Sequence, residues 1–166
     1  MNDIVFKEFN KQMNRETESA FIYLALSTHF QFFNLKGISK FFEKRYKEEL
    51  EHMFKFQQFL LSNNHHPIIS EIPKPIAQIS DALFAFDLGL AHEKKITKHI
   101  HDLVDLIRKE DCKVAEPFLS NFVAEQIQEE SMFAHIRDVI ETQLGLDNIY
   151  LLDKELRDKY EIECCT

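Results

Sequence analysis

The sequence predicts an all-α protein: a four-helix bundle with one long crossover and a short fifth helix at the C-terminal end. Glycine and proline are scarce, 3 and 4 residues in 166, against 45% hydrophobic residues, so the turn chemistry of an all-β chain is missing. Four segments, each longer than an average helix, repeat apolar residues at intervals of three and four. Short links join the first segment to the second and the third to the fourth, which makes two antiparallel hairpins.

The first helix is expected over about residues 3–33 and the second over about 37–61, with 34–36 as a tight reversal. Residues 62–79, with Pro67, Pro73 and Pro75, form a stretch longer than most loops. Extended, it reaches close to 60 Å at about 3.3 Å per residue, whereas a 27-residue helix is about 40 Å long, so it can run the whole bundle. The third helix is expected over about 80–109 and the fourth over about 113–144, with Pro117 in an opening turn that tolerates its missing N–H. After Gly145 a fifth, at about 148–160, carries Leu151, Leu152 and Leu156. No repeat or linker divides residues 1–166, so they read as one domain.

Lys plus Arg number 20 and Asp plus Glu 28, a net charge of -8 that is the wrong sign for nucleic acid. The longest apolar run, residues 20–26, falls far short of the roughly 20 residues that span a bilayer, and the start of the chain has no leader pattern. A cytoplasmic protein without a membrane partner is expected. Cys112, Cys164 and Cys165 are an odd number in a chain large enough to fold without staples, and they read as free thiols.

Function enters along the core seams. These are Phe6, Phe9, Met13, Glu16, Ala20, Tyr23, Ser27 and Phe30 in the first helix, and Phe42, Arg45, Glu49, His52, Phe56 and Phe59 in the second. The third gives Phe86, Leu90, Glu93, Thr97, Ile100, Val104 and Ile107; the fourth gives Leu119, Phe122, Gln126, Glu129, Phe133, Ile136 and Ile140. Each seam turns polar or acidic near its middle. Measured from the hairpin turns at 1.5 Å per residue, Glu16 and the pair Glu49 and His52 lie about 20 to 26 Å down, and Glu93, Gln126 and Glu129 about 20 to 24 Å. They share a level. Carboxylates gathered in a bundle core repel one another and lose hydration, which forces protonation or a bound cation. Oxygen ligands with one imidazole suit iron or manganese better than zinc, and Glu49 and His52, three apart, can grip one ion together.

The stretches Phe9-Asn10-Lys11-Gln12-Met13-Asn14-Arg15-Glu16, Glu48-Glu49-Leu50-Glu51-His52, Ala91-His92-Glu93 and Ala124-Glu125-Gln126-Ile127-Gln128-Glu129-Glu130, with the tail Tyr150-Leu151-Leu152-Asp153-Lys154-Glu155-Leu156, resemble bacterial non-haem ferritin in order and interval. The resemblance implies a ferritin-like fold, a hollow homo-oligomeric shell of 24 chains, and oxidation of Fe(II) by O2 or H2O2 at an intrasubunit site before storage as ferric mineral. It implies two iron ions per chain and no haem. Carried over by position, Glu16, Glu49 and His52 hold the first iron, with Glu49 bridging, and Glu93 and Glu129 hold the second beside Gln126. Tyr23 matches the family's site tyrosine. Glu48, Glu125 and Glu129 match a third iron site whose further carboxylate is replaced by Gln128, which leaves a third ion weak.

The same resemblance puts Glu116 at a pore-lining position, while His65, His66, His92, His99, His101 and His135 read as non-ligands. Phe32, Phe41 and Ile149 are expected to face outward and need cover from neighbouring subunits. The alternatives are a bacterioferritin, whose haem methionine falls at Leu50 and fourth-helix histidine at Glu129, with Met53 one position adrift; a DNA-coating mini-ferritin, which lacks the fifth helix; and a metal-free acidic helical interaction module.

Overall fold

A computed structural model describes residues 2–75, 78–144 and 148–163. It contains α1 (Asp3–Phe32), α2 (Lys36–Ser62), α3 (Ala82–Lys109), α4 (Glu116–Val139) and α5 (Ile149–Glu163), with no strand among the described residues. The fourth helix is shorter than its apolar period suggests. A 3₁₀ turn, Lys113–Ala115, precedes it and a π turn, Ile140–Leu144, follows. Both turns keep a residue on the buried stripe, Ala115 and Ile140, so periodicity does not separate them from the helix. Gly145, Cys164 and Cys165 lie outside the described residues, and Cys112 is a buried free thiol.

Three helices end alike. Asn34, Asn64 and Asp111 adopt φ of 60°, 60° and 48°, and the following residues Leu35, His65 and Cys112 donate to the carbonyls of Phe30, Leu60 and Ile107. This is the Schellman closure, built with Asn and Asp, the side chains that best tolerate a left-handed backbone. It explains how a chain with 3 glycines makes sharp hairpins. At its start, α3 is capped by Asp81, whose carboxylate accepts from the Phe84 N–H at 2.8 Å.

The crossover runs along α1. The His65 ring stacks on Phe6 with centroids 4.7 Å apart. Asn10 then brackets Ile68, accepting from its N–H at 2.7 Å and donating to its carbonyl at 3.0 Å, and Asn14 accepts from the Ser70 N–H at 2.7 Å. The polar face of α1 thus satisfies backbone groups of the extended strap, a partner that loop composition does not reveal.

The core is two apolar halves with a polar layer between them. One half gathers Phe30, Phe42, Phe86 and Phe133, the other Phe9, Phe56, Ile100 and Phe122. Glu16, Arg45, Glu49, His52, Glu93 and Gln126, all buried, fall between the two on the four helices. In α3 the buried stripe takes Gly89, Ile96 and Leu103 where the seam reading has Leu90, Thr97 and Val104, which are only partly buried. Gly89 is the reason: a Cβ on it would fall 2.2 Å from Cε1 of Phe133, so the bare backbone is what lets α3 close on that ring. Phe86, Glu93, Ile100 and Ile107 belong to both stripes, so the acidic position survives the correction.

The fifth helix corrects a second expectation. Phe41 is fully buried within its own chain, against Phe86, Phe133 and Tyr160, and Ile149 is half-buried on the same cluster. Leu152, Leu156 and Tyr160 of α5 cover that cluster. Phe32 does face outward, 79% exposed. The Asp153 carboxylate accepts from the N–H groups of Gly37 and Ile38 at 2.7 and 3.0 Å. It thereby caps α2, whose own N-cap residue, Leu35, provides no side-chain hydrogen bond.

Candidate metal centre

The polar layer is built from positions three, four and seven apart on four helices, which stack on one face each. From α1 come Gln12, Glu16, Ser19 and Tyr23; from α2, Arg45, Glu49 and His52; from α3, Glu93; and from α4, Gln126 and Glu129. Glu16, Glu49 and His52 each bring one potential ligand atom within 4.8 Å of the other two, and all three are buried. Gln12 donates to one Glu16 oxygen at 2.9 Å; the other, Oε2, is buried without a hydrogen-bond partner. An orphaned carboxylate oxygen beside two more ligand atoms is the chemistry of a hard cation site.

Glu93 completes the ring from the opposite hairpin. It accepts from the Tyr23 hydroxyl and, at 3.1 Å, from the Gln126 amide, whose nitrogen also lies 3.3 Å from the Thr97 hydroxyl. Glu129 reaches the same layer but turns to Arg45, at 2.5 Å. Glu125 sits at the rim, 3.1 Å from His52 Nε2 and 3.2 Å from Lys55 Nζ.

Burial dominates the electrostatics. It drives Glu16 well above the usual carboxylate range, with the charge of Glu49 adding to the effect. It raises Glu49 too, and it lifts Glu93 to about 7 although Tyr23 and Gln126 donate to that carboxylate. The Tyr23 phenol is pushed well up by burial and by Glu93, so it stays protonated and remains a donor. For His52 burial opposes the charged form, but hydrogen bonds to Glu125 and Glu49 and the charges of Glu49 and Glu16 outweigh it and hold the ring at about 11. The hydrogen bond to His52 in turn holds Glu125 down to about 2. The carboxylates around His52 thus favour its charged form, which gives the cluster a cation of its own.

A pH dependence follows with a definite sign. A carboxyl raised on folding stabilises the fold fully below its unfolded value, 4.5, and loses that contribution as pH rises through the folded value, about 7 for Glu93. Glu93→Gln, neutral at every pH, is expected to stabilise the metal-free protein at pH 8.5 by on the order of 3 kcal/mol and by almost nothing at pH 4.5. Denaturant unfolding of chelator-treated protein at the two pH values measures this; an equal gain at both would sink it.

The polar seam residues Glu16, Tyr23, Arg45, Glu49, His52, Glu93, Gln126 and Glu129 occupy the layer or its rim, and among the described residues only Glu16, Glu49 and His52 close to metal-ligand range of one another. Two features escaped the sequence reading. Ser19 and His92 meet across α1 and α3, with Oγ 2.7 Å from Nε2, which engages His92 outside the carboxylate cluster. Arg45, present in the seam, had no assigned task; its spacing of three from Glu48 was the available signal. Glu116 is exposed and lines a surface groove with His101, Asp105 and Arg108, apart from the buried layer.

The chain is 31% identical over 158 residues to the bacterial non-heme ferritin of Staphylococcus saprophyticus, covering 94% of each chain. It is 32% identical over 149 residues to that of Staphylococcus epidermidis, 89% of each. Among solved structures, a humanized archaeal ferritin superposes with a TM-score of 0.91 at 32% identity, over 94% of this chain and 95% of that one. An open pore ferritin from Archaeoglobus fulgidus gives 0.89 at 29%, over 94% and 96%. The family model of the ferritin-like domain matches residues 6–142, and the chain belongs to that family.

Proposed function

We propose that this chain is a cytoplasmic iron-storage ferroxidase that assembles as a shell of 24 and oxidises Fe(II) at the buried carboxylate layer. The observation that carries this reading is the layer itself. Glu16, Glu49 and Glu93 are held together in an apolar core, one of their oxygens has no hydrogen-bond partner, and the group gains most from a cation. Fe(II) is the substrate. Glu16, Glu49 and His52 take one ion, with Glu49 bridging to a second that Glu93 and Glu129 hold beside Gln126. Each Fe(II) gives up one electron; the two electrons and two protons turn O2 into H2O2, or H2O2 into two molecules of water. As each ion goes from two positive charges to three, the surrounding carboxylates stabilise the product.

The Tyr23 hydroxyl fixes the orientation of Glu93 by donating to it. Glu48, Glu125 and Glu129 match the family's third iron site, with Gln128 in place of its further carboxylate. Haem has no place in this reading, since Leu50 and Glu129 stand where a bacterioferritin has its methionine and histidine. Phe32, Ile127 and Tyr150, largely exposed, favour burial between subunits, and no helix among the described residues is long and apolar enough to cross a membrane. A docked α5 speaks against the mini-ferritin alternative, and a metal-free module leaves the acidic layer without a purpose.

Native mass and anaerobic Fe(II) titration of the purified protein test the proposal together. A particle of 24 chains binding two Fe(II) per chain, and oxidising them far faster than buffer does, is the expected result. One or two chains without affinity for Fe(II) would refute it.

A further inference from the structure

Among the described residues Arg45 is the one strongly basic side chain in the buried layer, 5% exposed. Its Nη2 lies 2.5 Å from Glu48 Oε2 and its Nη1 2.5 Å from Glu129 Oε2, and the guanidinium carbon stands 5.6 Å from the centre of the Phe41 ring. Glu48 and Glu129 are two of the three acids expected to receive a third ion. The third, Glu125, is itself matched by Lys55, at 3.2 Å. Every carboxylate of that place thus already has a protein cation, and Gln128, exposed on α4, adds no charge.

A guanidinium is a fixed cation that accepts no metal bond, so it yields the position only by moving. Moving it is costly. Arg45 emerges from α2 one turn after Phe41, which α5 buries with Leu152, Leu156 and Tyr160, and it is hydrogen-bonded to Glu129 on one side and ion-paired with Glu48 on the other.

We propose that Arg45 is a built-in counter-ion occupying the third-cation position, so that the centre binds two metal ions per chain and no third. The inference rests on the reading of the centre above. It also locates the reason for a missing third ion in a resident positive charge and not in Gln128 alone. Removing the arginine leaves Glu48 without its cation and frees the Glu129 oxygen that the guanidinium holds, which opens the position to a divalent cation.

The test uses assembled shells of wild type, Arg45→Gln, Arg45→Lys and Gln128→Glu, loaded anaerobically with Fe(II) alone. Bound ions are counted by equilibrium binding and located by anomalous diffraction at the iron edge. Two ions are expected in wild type, in Gln128→Glu and in the charge-conserving Arg45→Lys, and three in Arg45→Gln, the third between Glu48, Glu125 and Glu129. Two ions in Arg45→Gln, with wild type also at two, would overturn the role of Arg45 and leave the two-ion centre standing. Absence of iron from the Glu16, Glu49 and His52 cluster in wild type would overturn both. Should Arg45→Gln fail to assemble, the wild-type map decides: a fully occupied third peak refutes the proposal, and an undisplaced guanidinium beside two peaks supports it.

Discussion

Replacing Glu49 with alanine is expected to lower the initial rate of Fe(II) oxidation at two ions per chain by at least about 100-fold. No other side chain has its position. It lies within ligand range of Glu16 and His52 on one side and feels the charge of Glu93 on the other, so in the proposed centre it is the residue that bridges the two ions. Its loss also takes from His52 one of the two carboxylates that hold its proton. The chain should still fold and assemble, because Glu49 is buried inside its own chain and its loss relieves a crowded, desolvated group of carboxyls. Stopped-flow absorbance at low iron loading measures the rate, and an unchanged value would remove Glu49 from the centre.

Gly37→Ala is expected to cost about 3 kcal/mol or more and to lift α5 off the bundle. A Cβ at this position would stand 1.8 Å from the Asp153 carbonyl oxygen and 2.7 Å from the Arg157 nitrogen, both backbone atoms of α5 that cannot step aside by changing rotamer. Relief requires the whole helix to move. It would carry Leu152, Leu156 and Tyr160 away from Phe41 and pull the Asp153 carboxylate from the start of α2. A fall in melting temperature together with faster amide exchange throughout α5 is the expected signature. A variant as stable as wild type, with α5 still protected, would show that the contact is looser than described. The comparison is Gly89→Ala, where the obstacle is the side chain of Phe133, a ring that can yield by turning.

What could be read from the chain alone was whatever depends on distance along it. Helix period, cap residues and a rise of 1.5 Å per residue are local properties, so the extent of α1, α2 and α3 and the common level of Glu16, Glu49, His52, Glu93 and Gln126 were legible before any packing was known. The gathering of buried acids at one level, which calls for protonation or a bound cation, was legible for the same reason, whichever way their helices rotate. Rotation itself was not. Whether Leu90 or Gly89 faces the core depends on the ring of Phe133 opposite, and α3 turned toward the glycine. Nor did the pattern tell that Phe41 is covered by its own C-terminal helix, or that Asp153 caps a helix starting more than a hundred residues earlier. Arg45 is the fullest case. Its place in the seam was visible, but its bond to Glu129 joins α2 to α4, and only the packed bundle sets which carboxylate a buried guanidinium meets. The sequence determined the residues on each helix face and their level; the tertiary structure decided their partners, because a partner is set by the shape of all the surfaces that close around it at once.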